Sequence, residues 1–275
     1  MRARVAAASR GRRRVPAAAA AGALACALAM GAIARAEDAT PPTPAPAGAA
    51  TPAASEPRTA FAERLEAELD RLDLPLTYVW PASAPRALVV FLSGDGGWAW
   101  LDDSVAHELA GRGIATIGWS SLKYFYAERE PVEVARDVDR VVAVASSSGL
   151  PVVLGGYSFG AEIAAVVVAD WKARERARLA GVLLIAPGES ASFQINPLDW
   201  VRSPEASADH RVDAALRTAA VPRVLCLSGV DDAEADCRKL AGIPGVEVVT
   251  LPGDHHFAHD AAAVALAASR LFPAS

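Results

Sequence analysis

The stretch Val152–Val168, VVLGGYSFGAEIAAVVV, restricts what this chain can fold into more than any other. An apolar run of strand character meets Gly156-Tyr157-Ser158-Phe159-Gly160, and an alanine- and valine-rich helical run follows. A Gly-x-Ser-x-Gly between a strand and a helix is the sequence form of a nucleophile elbow. Its glycines permit a tight turn and close helix–strand packing. The turn lifts the Ser158 hydroxyl to the helix N-terminus, where free backbone N–H groups favour a developing oxyanion. The bland alternative is a glycine-rich corner, so the rest of the chain has to supply partners for the serine.

The surrounding pattern fits a layered α/β fold. Strands are expected at 76–80, 87–92, 114–118, 152–155, 181–186, 223–227 and 246–251. Several are continuous Val, Ile and Leu runs, as in strands covered on both faces. Helical patterns lie between them, one opening on Pro131 at a first-turn position. The expectation is an α/β-hydrolase-like, doubly wound and mostly parallel sheet with helices on both faces. Sites in such sheets form at the carboxyl ends of strands.

A serine nucleophile needs a base, and the base needs an acid to orient it. This fold class supplies them in the chain order serine, acid, histidine. Asp231 and Asp232 follow one expected strand in VLCLSGVDDAEADC, and His255 and His256 follow the next in VVTLPGDHHFAHD. Asp232, three residues after Gly229, and His256, three after Gly253, are the preferred pair. Asp231 and His255 are the alternates. His107, His210 and His259 read as surface or helix-start residues. His255, His256 and His259 can be drawn as a metal cluster, but the acid–base reading explains them better, so no metal is expected.

A second glycine cluster, SGDGGW at 93–98, follows the strand 87–92. In this fold that position donates an oxyanion N–H. Asp95 and Phe159 are therefore the candidate donors. The Asp95 carboxylate opposes an oxyanion, and makes sense if it binds a substrate cation. Trp98 is a candidate pocket wall. Lys123 and Tyr124 follow the strand 114–118 and are candidates for a phosphate and a pocket contact. Glu162, one turn into the elbow helix, either caps that helix or faces the pocket. GDGGW lacks the spacing and lysine of a phosphate-binding loop, and no cofactor motif occurs.

Residues 1–36 carry seven arginines and no acid, then an alanine-rich apolar run ending in Ala-Arg-Ala. That is the form of a secretory signal peptide cleaved near Ala36, with a retained membrane anchor as the alternative. Residues 37–60, rich in Pro, Ala and Thr, read as a disordered linker, and 61–275 as one domain. Cleavage leaves 20 basic and 32 acidic side chains, a formal charge of −12. So acidic a surface excludes nucleic acid as a natural partner. Cys226 and Cys237 remain, and an exported chain favours a disulfide between them, bracketing the acid loop.

FLSGDGGWAWLD, SLKYFYAEREPVEVARDV, GGYSFGAEI and LPGDHHF fall in order across most of residues 86–260. Together they resemble the domain shared by the bacterial virulence proteins VirJ and AcvB, in its short VirJ form. The resemblance implies a periplasmic α/β-hydrolase. It implies hydrolysis of aminoacyl-phosphatidylglycerol, chiefly the lysyl ester, at the membrane surface. It also implies association with type IV secretion components or their exported substrates. The competing expectation is a non-catalytic adaptor or chaperone on a hydrolase scaffold, since fold does not fix function.

Overall fold

The protein is described from a computed structural model, which covers residues 58–195, 210–219, 221, 223–235 and 237–272. The expected signal peptide and nearly all of the expected linker lie outside these residues. Helix α1 (Arg58–Asp70) opens three residues ahead of the expected domain start. Seven strands follow: β1 (Leu76–Val79), β2 (Ala87–Leu92), β3 (Ile114–Trp119), β4 (Val152–Tyr157), β5 (Leu179–Ile185), β6 (Val224–Gly229) and β7 (Val246–Leu251). Between and after them lie α2 (Trp100–Ala110), α3 (Ser121–Phe125), α4 (Pro131–Ser146), α5 (Phe159–Asp170), α6 (Ala173–Arg176), α7 (Val212–Ala219) and α8 (Ala261–Ala268).

The strands form one sheet in the order β1-β3-β2-β4-β5-β6-β7. β1 runs antiparallel to β3, and every other pairing is parallel. The expected α/β architecture is present, with each expected strand in place to within two residues. Every residue of β2, β3, β4 and β6 is buried, whereas the edge strands β1 and β7 are partly exposed. Continuous apolar runs therefore mark the interior of the sheet.

Alternation along β2 divides the core into two layers. Leu88, Val90 and Leu92 pack with α1, α4 and α5 on one face. Ala87, Val89 and Phe91 pack with α2 and α8 on the other. Pro131 stands at the start of α4, where its missing N–H costs nothing.

Strand order fixes where a site forms. After β3 the chain crosses to the far side of β2, and β4 to β7 then run outward. The reversal leaves a crevice above the carboxyl ends of β2 and β4. The loop 93–99 leaves β2 there, and Ser158 leaves β4.

Candidate active site

Ser158 joins β4 to α5 with φ 51° and ψ −121°, a conformation few non-glycine residues adopt. Its N–H donates to the Ile185 carbonyl at 2.8 Å. The turn is this sharp because α5 starts against the end of β2. A Cβ on Gly160 would stand 2.2 Å from the Leu92 carbonyl oxygen, so only glycine fits. The Gly-x-Ser-x-Gly of the sequence is thus a real strand–turn–helix corner with its hydroxyl in the crevice.

The Ser158 Oγ lies 2.9 Å from His255 Nε2, and His255 Nδ1 lies 2.9 Å from Asp232 Oδ2. The Asp232 carboxylate is fully buried. Its Oδ1 accepts from the Glu234 and Ala235 N–H groups at 2.9 and 3.0 Å. Asp232 therefore fixes the tautomer with the proton on Nδ1, and Nε2 is left to accept from the serine. The two loops meet because Gly229 allows it: a Cβ there would come 2.2 Å from the Asp254 carbonyl oxygen. The Asp231 N–H then donates to the Gly253 carbonyl at 2.9 Å, while its side chain stays exposed.

The histidine preference is corrected. His255, not His256, contacts Ser158. The His256 N–H donates to Asp254 Oδ1 at 3.0 Å, and its ring Nδ1 lies 2.9 Å from the Tyr157 hydroxyl. The same hydroxyl donates to the His255 carbonyl at 3.3 Å. Just beyond, Phe257, Ala258 and His259 all have positive φ, so the chain leaves the site in an abrupt left-handed turn. His255 faces the serine, and His256 turns instead to the Tyr157 hydroxyl.

The 93–99 loop lies opposite. Asp95, an expected oxyanion donor, lines the same cleft as Ser158, and Phe159, the other, follows Ser158 directly in the chain. Phe159 opens α5, so its N–H has no helical acceptor. Among the described residues, no loop hydrogen bond uses the Asp95 N–H. A cleft of about 350 Å³ opens here, lined by Asp95, Asp102, Tyr157, Ser158, Glu234 and His255 together with His256 and loop backbone. Its lining includes the acidic residues Asp95, Asp102 and Glu234, and no lysine or arginine.

Four expected pocket residues are placed elsewhere. Trp98 packs on Gly118 and edge-on to Phe91, and its indole N–H donates to Asp103 at 3.1 Å. Tyr124 is buried between Trp119 and Phe125, its hydroxyl donating to Asp137 Oδ2 at 2.8 Å. Lys123 is exposed on α3, outside the cleft lining. Glu162 accepts from the Gly188 N–H at 3.0 Å instead of lining the cleft.

Burial pushes the Glu162 carboxyl up to about 7; the Gly188 N–H opposes the shift and the Asp95 charge adds to it. Asp102 is likewise raised to about 7 by burial, against the N–H groups of Ala99 and Gly94. Burial also raises the Tyr157 phenol, with the Asp102, Asp232, Asp95 and Glu234 charges reinforcing it. Asp102, Tyr157 and Glu234 went unread in the sequence, although Asp102 has the spacing of a third-position acid in a helix. The expected disulfide joins Cys226 of β6 to Cys237. Among the described residues no His, Cys, Asp and Glu grouping could hold a metal, and no helix is long and apolar enough to cross a membrane.

An elbow serine, a histidine and a buried acid above a crossed-over parallel sheet define the α/β-hydrolase class. Solved structures agree on the fold. Est1E from Butyrivibrio proteoclasticus superposes with a TM-score of 0.52 at 16% identity, over 71% of this chain and 91% of its own. The esterase domain of a Rhodothermus marinus protein gives 0.50 at 16%, over 70% and 90%. YbtT, a type II thioesterase of yersiniabactin biosynthesis, gives 0.50 at 16%, over 73% and 98%. No curated protein matches the sequence. Residues 86–271 match the family model "Bacterial virulence protein (VirJ)", and the chain belongs to that family.

Proposed function

We propose that this protein is an exported serine esterase. Its substrate is an ester whose acyl group carries a cationic amine, and aminoacyl-phosphatidylglycerol, chiefly lysyl, fits best. The observation that carries the reading is the Ser158–His255–Asp232 relay, with both contacts at 2.9 Å, inside a cleft of carboxylates. The disulfide and the arginine-rich, apolar N-terminus support export.

Ser158 Oγ attacks the ester carbonyl while His255 Nε2 takes its proton. The Phe159 and Asp95 N–H groups hold the oxyanion. Protonated His255 then gives its proton to the departing glycerol oxygen, which leaves as an alcohol, and the aminoacyl group stays on Ser158. Water, deprotonated by His255, releases the free amino acid and restores the serine. Asp232 orients and stabilises the imidazolium throughout. Carboxylates beside an oxyanion would slow a neutral ester, since like charges repel at short range. An ammonium on the acyl group turns Asp95 and Glu234 into attractive partners.

The test is lysine release from lysyl-phosphatidylglycerol in detergent micelles. Ser158→Ala should abolish release. Asp95→Asn should lower kcat/KM for the lysyl ester about tenfold or more, as expected for a lost charged contact, relative to a neutral acyl ester. An unchanged ratio would sink the assignment of the cation to this carboxylate.

A further inference from the structure

The oxyanion loop of this esterase reading has an ordering problem. Its six residues, 94–99, include Gly94, Gly96 and Gly97. Fixing such a backbone costs conformational entropy at every residue, and glycine loses the most freedom. The N–H of Asp95 must nevertheless stand still, because an oxyanion donor works only when preorganised.

The loop's own bonds do little to fix it. Its internal backbone bond runs from the Gly97 N–H to the Gly94 carbonyl at 3.0 Å. The indole of Trp98 ties the far side to Asp103. What spans the whole loop is one carboxylate. Asp102, in the first turn of α2, accepts from the Ala99 N–H through Oδ2 at 3.1 Å. Its Oδ1 accepts from the Gly94 N–H at 3.4 Å. Ala99 and Gly94 are the two ends of the loop. The Ala99 bond alone is an ordinary helix-start contact. The reach to Gly94 is what a helix start does not need. Asp102 is 2% exposed, so water does not compete for either bond. Gly94 is also backed by Tyr157, whose ring would lie 3.2 Å from a Cβ placed there, and Tyr157 immediately precedes Ser158.

We infer that Asp102 is the positioning residue of the oxyanion hole: its carboxylate clasps both ends of the 94–99 loop and so holds the Asp95 N–H over the Ser158 hydroxyl. It touches no reacting atom and acts through the loop. This rests on the serine-esterase reading above, and deepens it. Only a carboxylate does the job. An asparagine offers one acceptor oxygen and turns an NH2 group toward the second N–H.

The test uses full-length protein and p-nitrophenyl acetate, with benzeneboronic acid as a mimic of the tetrahedral state. For Asp102→Asn and Asp102→Ala, kcat should fall ten- to a hundredfold while KM stays within about threefold. The boronate inhibition constant should weaken in step with kcat/KM, because both need the oxyanion donors. Exchange of the Gly94 and Ala99 amides should quicken in the same variants. A purely structural role would lower the melting temperature and leave the ratio of boronate affinity to KM unchanged, which overturns the inference. If Asp102→Ala does not fold, Asp102→Asn carries the test alone. Turnover lost in Ser158→Ala but intact in Asp102→Asn would remove the clasp and spare the esterase. A wild-type protein with neither turnover nor boronate binding would overturn both.

Discussion

Ser158 is held in a backbone conformation that costs on the order of 1–3 kcal/mol, at the corner where Gly160 lets α5 approach the end of β2. The sequence places two candidate histidines side by side, and spacing from Gly253 favours His256. No pattern in the sequence tells which of these neighbouring imidazoles reaches Ser158 and which turns to Tyr157. The acid was easier to read. Asp232 is the carboxylate that the Glu234 and Ala235 N–H groups reach, whereas Asp231 gives its own N–H to Gly253 and stays outside. His255→Gln should therefore cut kcat for a neutral ester by about 100- to 10,000-fold. His256→Gln, which loses the Tyr157 contact and the ring packing on His259 but no contact to Ser158, should stay within about tenfold. Steady-state kinetics on both variants checks this, and equal losses would mean that the two imidazoles share the proton.

At the level of elements, the site is built from three strand ends and the loops that leave them. β4 was legible because a buried central strand is apolar throughout and its elbow has a fixed spelling. The pocket walls were not. Trp98, Tyr124 and Lys123 were placed near the site by their order after β2 and β3. Order after a strand says which end of the sheet a residue is on, and not which way it points. Trp98 turns back onto β3 and Tyr124 turns into the core. The acid loop is the element with the least structure of its own, and the disulfide closes it at its base. Cys226 lies in the middle of β6, Cys237 follows the loop, and the separation is 11 residues. Closing a loop of this size removes unfolded-state entropy worth about 3 kcal/mol. Reduction under native conditions should thus lower the thermal midpoint by several degrees. It should also reduce kcat more than KM, because Asp232 lies inside the closed loop. A reduced protein with an unaltered midpoint would show that strand pairing alone holds the loop.

Across the whole molecule, acidity couples the site to stability. Two carboxyls, Asp102 and Glu162, are raised to about 7 chiefly by burial. A raised acid is neutral in both folded and unfolded chains below about pH 4. Above that, the unfolded chain ionises first, so stability falls progressively as pH climbs through the folded-state value near 7. Asp254 and Glu189 shift the other way, Asp254 chiefly through the His256 N–H and Glu189 chiefly through Lys239. Their contribution is present above about pH 4 and is lost only in stronger acid. The excess of acid over base adds self-repulsion in the same direction as Asp102 and Glu162. The protein should accordingly melt highest near pH 5 and lose stability toward pH 8. Glu162→Gln isolates the effect, because its amide oxygen can still accept from the Gly188 N–H without the charge. At pH 8 the variant should be more stable than wild type by roughly 1–3 kcal/mol, since each tenfold change in proton affinity between folded and unfolded chains is worth about 1.4 kcal/mol. At pH 4 the two should melt together. Thermal denaturation across that range decides it. A variant less stable than wild type at pH 8 would mean that the Glu162 charge has a cationic partner in the folded protein and that its burial is compensated.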